Sequence, residues 1–83
     1  MAREVTNCVI TNLIAVGSIY QYLSQNWHLK QIRVDLTFPH AGEQRTITER
    51  ILSKEKVDYL YKFMLDKWKS GKLRVVITET DGP

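Results

Sequence analysis

The sequence predicts one small α+β domain. Three observations carry that expectation: two stretches repeat apolar residues at helical spacing, others alternate them at strand spacing, and the chain has 83 residues. That length leaves room for one core, since domains run to roughly 100–200 residues each. Hydrophobic residues make up 43% and charged residues 25%, an ordinary globular balance that argues against disorder throughout.

Residues 4–10 (EVTNCVI) are short and β-prone, and are expected to form a first strand. Thr11 or Asn12 can cap a helix, because a short side-chain oxygen accepts from the free amides of the first turn. Leu13, Val16, Tyr20, Leu23 and Trp27 then recur at 3-4-3-4 spacing, which gives one helical stripe with Ile19 beside it. Gly17 weakens this helix by about 1 kcal/mol relative to alanine.

The period then changes to two. Ile32, Val34, Leu36 and Phe38 alternate with Arg33, Asp35 and Thr37, as in a strand buried on one face. Pro39 is expected to end it, and Pro39, His40, Ala41, Gly42 and Glu43 supply turn chemistry. Residues 45–52 resume β character with Ile47 and Ile51 on one side, completing a hairpin. Ser53 is a good N-cap, and Glu55 suits the positive end of the helix dipole. Val57, Leu60, Tyr61, Met64 and Trp68 make the second helical stripe, with Gly71 placed to end it in a left-handed turn. Leu73, Val75 and Ile77 alternate with Arg74, Val76 and Thr78 as a last strand, and residues 80–83 read as a flexible tail.

The order β-α-β-β-α-β, with amphipathic helices and one-sided strands, points to two helices on one face of a four-stranded antiparallel sheet. That is the ferredoxin-like, split βαβ arrangement. The alternative is α-β-β-α-β with an irregular N-terminus.

Function is less legible. Cys8 is the single cysteine, so no internal disulfide forms and a reducing compartment fits. No signal-peptide pattern opens the sequence and no run approaches the ~18 apolar residues of a membrane span, so a cytoplasmic protein is expected by elimination. Cys8, His28 and His40 show no metal-ligand spacing, and neither a metal nor another cofactor is expected. A lone cysteine among apolar neighbours reads as an inert core thiol. His40 reads as an exposed turn residue, and His28 as an imidazole suited to a helix end. The carboxylates form no catalytic pair and the four glycines no phosphate-cradling loop. An enzyme is not expected.

Residues 8–13 (CVITNL) resemble the first-strand signature of the RNA-recognition motif, which ends in Asn-Leu. Val9 occupies the place of that family's base-stacking ring, and residues 45–52 hold no aromatic where the family relies on rings. The chain is therefore not assigned to it. The outward sheet face is mildly basic, and Arg33, Arg50 and Arg74 are the candidate phosphate contacts of a nucleic-acid-associated protein. Net charge is +3 and the pI about 9.2, but acids and bases are interleaved.

Two features point instead to protein contacts. Residues 5–29 contain no Asp, Glu, Lys or Arg, so the first helix turns an uncharged face outward, with Ile14 and Tyr22 on it or at its flank. Charge depletion and tyrosine enrichment mark interface cores. Tyr59 and Phe63 lie four apart on a flank of the second helix, where their rings can meet. The preferred expectation is a non-enzymatic interaction module, self-associating through Ile14, Tyr22, Tyr59 or Phe63. A nucleic-acid partner is the alternative, and a small-molecule-sensing domain is a third reading, by fold analogy alone.

Overall fold

The computed structural model describes residues 2–40, 43–49 and 52–80, with side chains described for 2–38 and 52–80. The elements are β1 (Ala2–Val9), α1 (Leu13–Asn26), β2 (Gln31–His40), β3 (Glu43–Glu49), α2 (Lys54–Lys67) with a short 3-10 turn at Trp68–Ser70, and β4 (Arg74–Thr80). The α+β class is as expected.

Local chemistry places the helices. Asn12 caps α1, its side chain accepting from the Ala15 amide at 2.8 Å. No charged residue in the first or last turn complements its dipole. Ser53 caps α2 by accepting from the Lys56 amide at 3.3 Å. Glu55 and Lys67 complement opposite ends of that helix. Gly71 closes the following turn at φ 69°, a conformation that costs residues with a Cβ roughly 1–2 kcal/mol.

The strands pair antiparallel in the order β1-β4-β2-β3. This differs from the ferredoxin-like order, in which the first and third strands lie in the middle; here β4 and β2 do. Both helical connections still skip one strand: α1 joins β1 and β2 across β4, and α2 joins β3 and β4 across β2. Burial gives the physical reason. In β2, Ile32, Val34, Leu36 and Phe38 are buried, and in β4 Val75 and Ile77 are, so these two strands carry a full apolar face to place under the helices. No residue of β1 is fully buried, and its register shifts between Glu4 and Thr6. A polar, bulged strand suits a sheet edge, where a bulge and charges discourage further pairing.

One core fills the space between sheet and helices. Val16, Ile19 and Leu23 of α1 meet Val57, Leu60 and Met64 of α2 and the β2 and β4 residues above, with Ile10, Leu52 and Leu73 closing the ends. Tyr20 and Tyr61 stack with ring centroids 4.2 Å apart across the two helices.

Several boundaries move. β1 begins at Ala2 rather than residue 4, and Ile10 follows it as a buried plug whose amide donates to Leu73 O at 2.8 Å. β2 continues through Pro39 to His40, paired with Gln44 and Glu43. Proline is tolerated there because only one ladder bond is forgone near the end of a strand. Thr80 is not tail: it lies opposite Ala2 and Gln31 in β4. Ala41, Gly42, Arg50, Ile51 and residues 81–83 lie outside the described residues, as do the side chains of His40, Thr46, Ile47 and Thr48.

Candidate functional site

The solvent face of α1 is built from Ile14, Gly17, Ser18, Gln21 and Gln25, all exposed, while Val16, Ile19 and Leu23 face the core. Ile14 is 80% exposed and Leu13 53%. Just past the helix, Leu29 donates its amide to Asn26 O at 3.0 Å and leaves its side chain 67% exposed. Ile14 and Leu29 are the most exposed large apolar residues among the described residues, and no formal charge lies between them. Soluble helices ordinarily carry charge on this face.

Of the four residues expected at a protein interface, Ile14 is thus outermost. Tyr59 is 47% exposed on α2, and Phe63 is half-buried and packed against the core. Their rings lie 6.4 Å apart, with Lys56 Nζ 5.5 Å from the Tyr59 centroid. Tyr22 is half-buried rather than outermost, and its hydroxyl donates to Glu79 Oε2.

Glu79 was not singled out from the sequence. It continues the inward parity of Val75 and Ile77, so β4 carries a carboxylate onto the core face, where it is 5% exposed. A buried carboxylate is stable only when paired. Besides Tyr22, Arg3 Nη2 reaches Oε1 at 2.9 Å and Lys30 Nζ reaches Oε2 at 3.4 Å. The Tyr22 hydrogen bond, ahead of those from Arg3 and Lys30, outweighs burial and holds the Glu79 pKa below the usual carboxylate value. Burial, followed by the same hydrogen bond, pushes the Tyr22 phenol well up. The cluster ties β1, α1, the α1–β2 turn and β4 together at one end of the molecule. Both of its carboxylate oxygens are engaged, and the cluster clamps these elements to one another. The sequence signal was available: a Glu in phase with two core residues of a strand.

The open face of the sheet carries the candidate phosphate contacts. Arg33 Nε lies 3.3 Å from Asp35 Oδ2, and Arg74 Nη1 donates to Asn7 Oδ1 at 2.7 Å. Arg50 lies outside the described residues. A hollow of about 210 Å³ lies between Ala2, Gln31, Arg33, Thr78 and Thr80. Glu4 shares this face, opposite Thr78, so among the described residues it carries both signs of charge.

Cys8 is half-buried in β1. Among the described residues, no group of three or more His, Cys, Asp or Glu could hold a metal ion, and no helix is long and apolar enough to cross a membrane. No protein-family model matches the sequence, and no curated protein matches it either.

Proposed function

We propose that this chain is a small, non-enzymatic interaction module that associates with itself, with the uncharged outer face of α1 as the contact surface. The observation behind this reading is a helix that leaves Ile14 80% exposed and places no charge on its solvent side. Interface cores are depleted of charge in this way. The α2 flank is the weaker candidate, because Phe63 already packs against the core and α2 carries charges along its length. A cytoplasmic setting belongs to the same proposal, resting on the single thiol.

The test is sedimentation equilibrium from about 10 µM to about 1 mM protein, the range of weak association. The expected result is a weight-average mass rising above 9.7 kDa, and a substitution Ile14→Glu that suppresses the rise. A mass fixed at the monomer value over the whole range defeats the proposal.

The nucleic-acid alternative makes a different prediction, namely steeply salt-sensitive binding to labelled oligonucleotides. The engagement of Arg33 by Asp35 and of Arg74 by Asn7 weighs against it. Anisotropy at low salt checks it, and binding at micromolar protein would reverse the ranking.

A further inference from the structure

We propose that the turn joining α2 to β4 docks the chain on an anionic lipid surface, with Lys67, Lys69, Lys72 and Arg74 meeting the headgroups and Leu13 entering the interface beside them. Such a contact needs no membrane-spanning segment. It is made by a different part of the molecule from the outer face of α1 and does not depend on self-association.

The excess charge of the chain is concentrated in this turn. Residues 66–74 hold four of the twelve lysines and arginines and one of the nine acids. That segment therefore carries +3, the whole net charge of the chain, and the remaining residues balance at eight of each sign. Its one acid, Asp66, is matched by Lys67 at 3.0 Å. Lys69, Lys72 and Arg74 are exposed, and among the described residues none of the three has a carboxylate within ion-pair distance. A concentrated, unmatched positive charge selects a polyanion as the occupant.

The backbone holds these cations together before any ligand arrives. Gly71, at φ 69°, donates its amide to Trp68 O at 3.1 Å. Ser70 Oγ accepts from the Lys72 amide, also at 3.1 Å.

Apolar neighbours choose among the polyanions. Val9 lies opposite Arg74, and the Ile10 amide donates to Leu73 O at 2.8 Å. The chain thus leaves β1 beside Lys72 and enters α1 at Leu13. Leu13 is in phase with the buried Val16 yet 53% exposed, and Val9 is 36% exposed. The first turn of α1 holds no acid. Aliphatic side chains beside a set of cations suit the boundary between headgroups and acyl chains. Single-stranded nucleic acid is held by exposed rings on which bases stack. The ring in this turn, Trp68, is half-buried, with Lys69 Nζ 5.9 Å from its centroid.

The experiment is flotation of the full chain with phosphatidylcholine vesicles, either pure or containing about 30% phosphatidylserine to give a negative surface potential. Far-UV circular dichroism checks the fold of each variant. Binding is expected on the anionic vesicles alone, weakening by about tenfold or more between about 50 mM and about 500 mM salt as screening shortens. Lys69→Gln/Lys72→Gln should weaken it by roughly 25-fold, about fivefold for each cation held near the surface. Lys54→Gln/Lys56→Gln removes the same charge from the other end of α2, roughly 20 Å away, and should change binding by less than about twofold. Leu13→Ser should weaken binding by about fivefold with the salt dependence unchanged. No binding to the anionic vesicles at low salt overturns the proposal, as does an equal loss in the two lysine pairs, which would make net charge the cause. Unchanged binding by Leu13→Ser removes the lipid as occupant, and tighter binding to a labelled duplex oligonucleotide at equal phosphate concentration assigns the turn to nucleic acid instead.

Discussion

Replacing Tyr22 with phenylalanine removes one hydroxyl and, with it, one of the three side-chain hydrogen bonds that hold the Glu79 carboxylate. Hydrogen bonds to charged groups contribute about 1.5–3 kcal/mol net. Tyr22 is half-buried, so water replaces part of the loss and the lower end applies, about 1.5 kcal/mol. For a domain of this size that lowers Tm by roughly 6–12 °C. Thermal and urea unfolding followed by circular dichroism at pH 7 measure it.

The pH dependence carries a sign. The folded pKa of Glu79 lies below its ordinary 4.5, so its stabilising contribution is fully present above that value and is lost as pH falls through the folded pKa. The deficit of Tyr22→Phe should therefore be constant from about pH 7 down to about pH 5 and shrink below pH 4. In a double-mutant cycle with Glu79→Gln, the two losses should be strongly non-additive, since the groups touch. A Tyr22→Phe variant within about 0.5 kcal/mol of the parent at pH 7, with additive behaviour, would refute the clamp.

Two further substitutions probe the scaffold. The glycines should respond oppositely: Gly17→Ala, in helix and in open space, should stabilise the monomer by about 0.5–1 kcal/mol, whereas Gly71→Ala, at φ 69°, should destabilise by about 1 kcal/mol or more. Urea midpoints at dilute protein decide both, and a common sign would contradict the backbone reasoning. Leu60→Ala, at a fully buried α2 position, should cost about 2–5 kcal/mol, enough to leave much of so small a domain unfolded at 37 °C. A loss under 1 kcal/mol would mean the α2 seam is not packed as described.

Much of the architecture follows from local pattern. The two helices, their Asn12 and Ser53 caps, the Gly71 stop and the buried alternation of Ile32, Val34, Leu36, Phe38, Val75 and Ile77 rest on periodicity and short-range hydrogen bonding, which a linear sequence displays. The uncharged run that puts Ile14 on the outer side of the first helix is equally a property of the linear chain, whereas the exposure of Leu29 came from the structure. Strand order is not. Whether β4 or another strand lies beside β1 depends on which strands have enough apolar face to occupy the centre under both helices, a comparison among distant segments. The same limit hid the clamp. Glu79 and Tyr22 are 57 residues apart, and Tyr22 reads as an outward flank residue until the sheet carries a carboxylate beneath it. The sequence by itself determined the elements and the charge-free face, since both depend on neighbours along the chain. Only the tertiary structure decided the sheet order, the edge position of β1 and the pairing of Glu79 with Tyr22, Arg3 and Lys30, because those depend on neighbours in space.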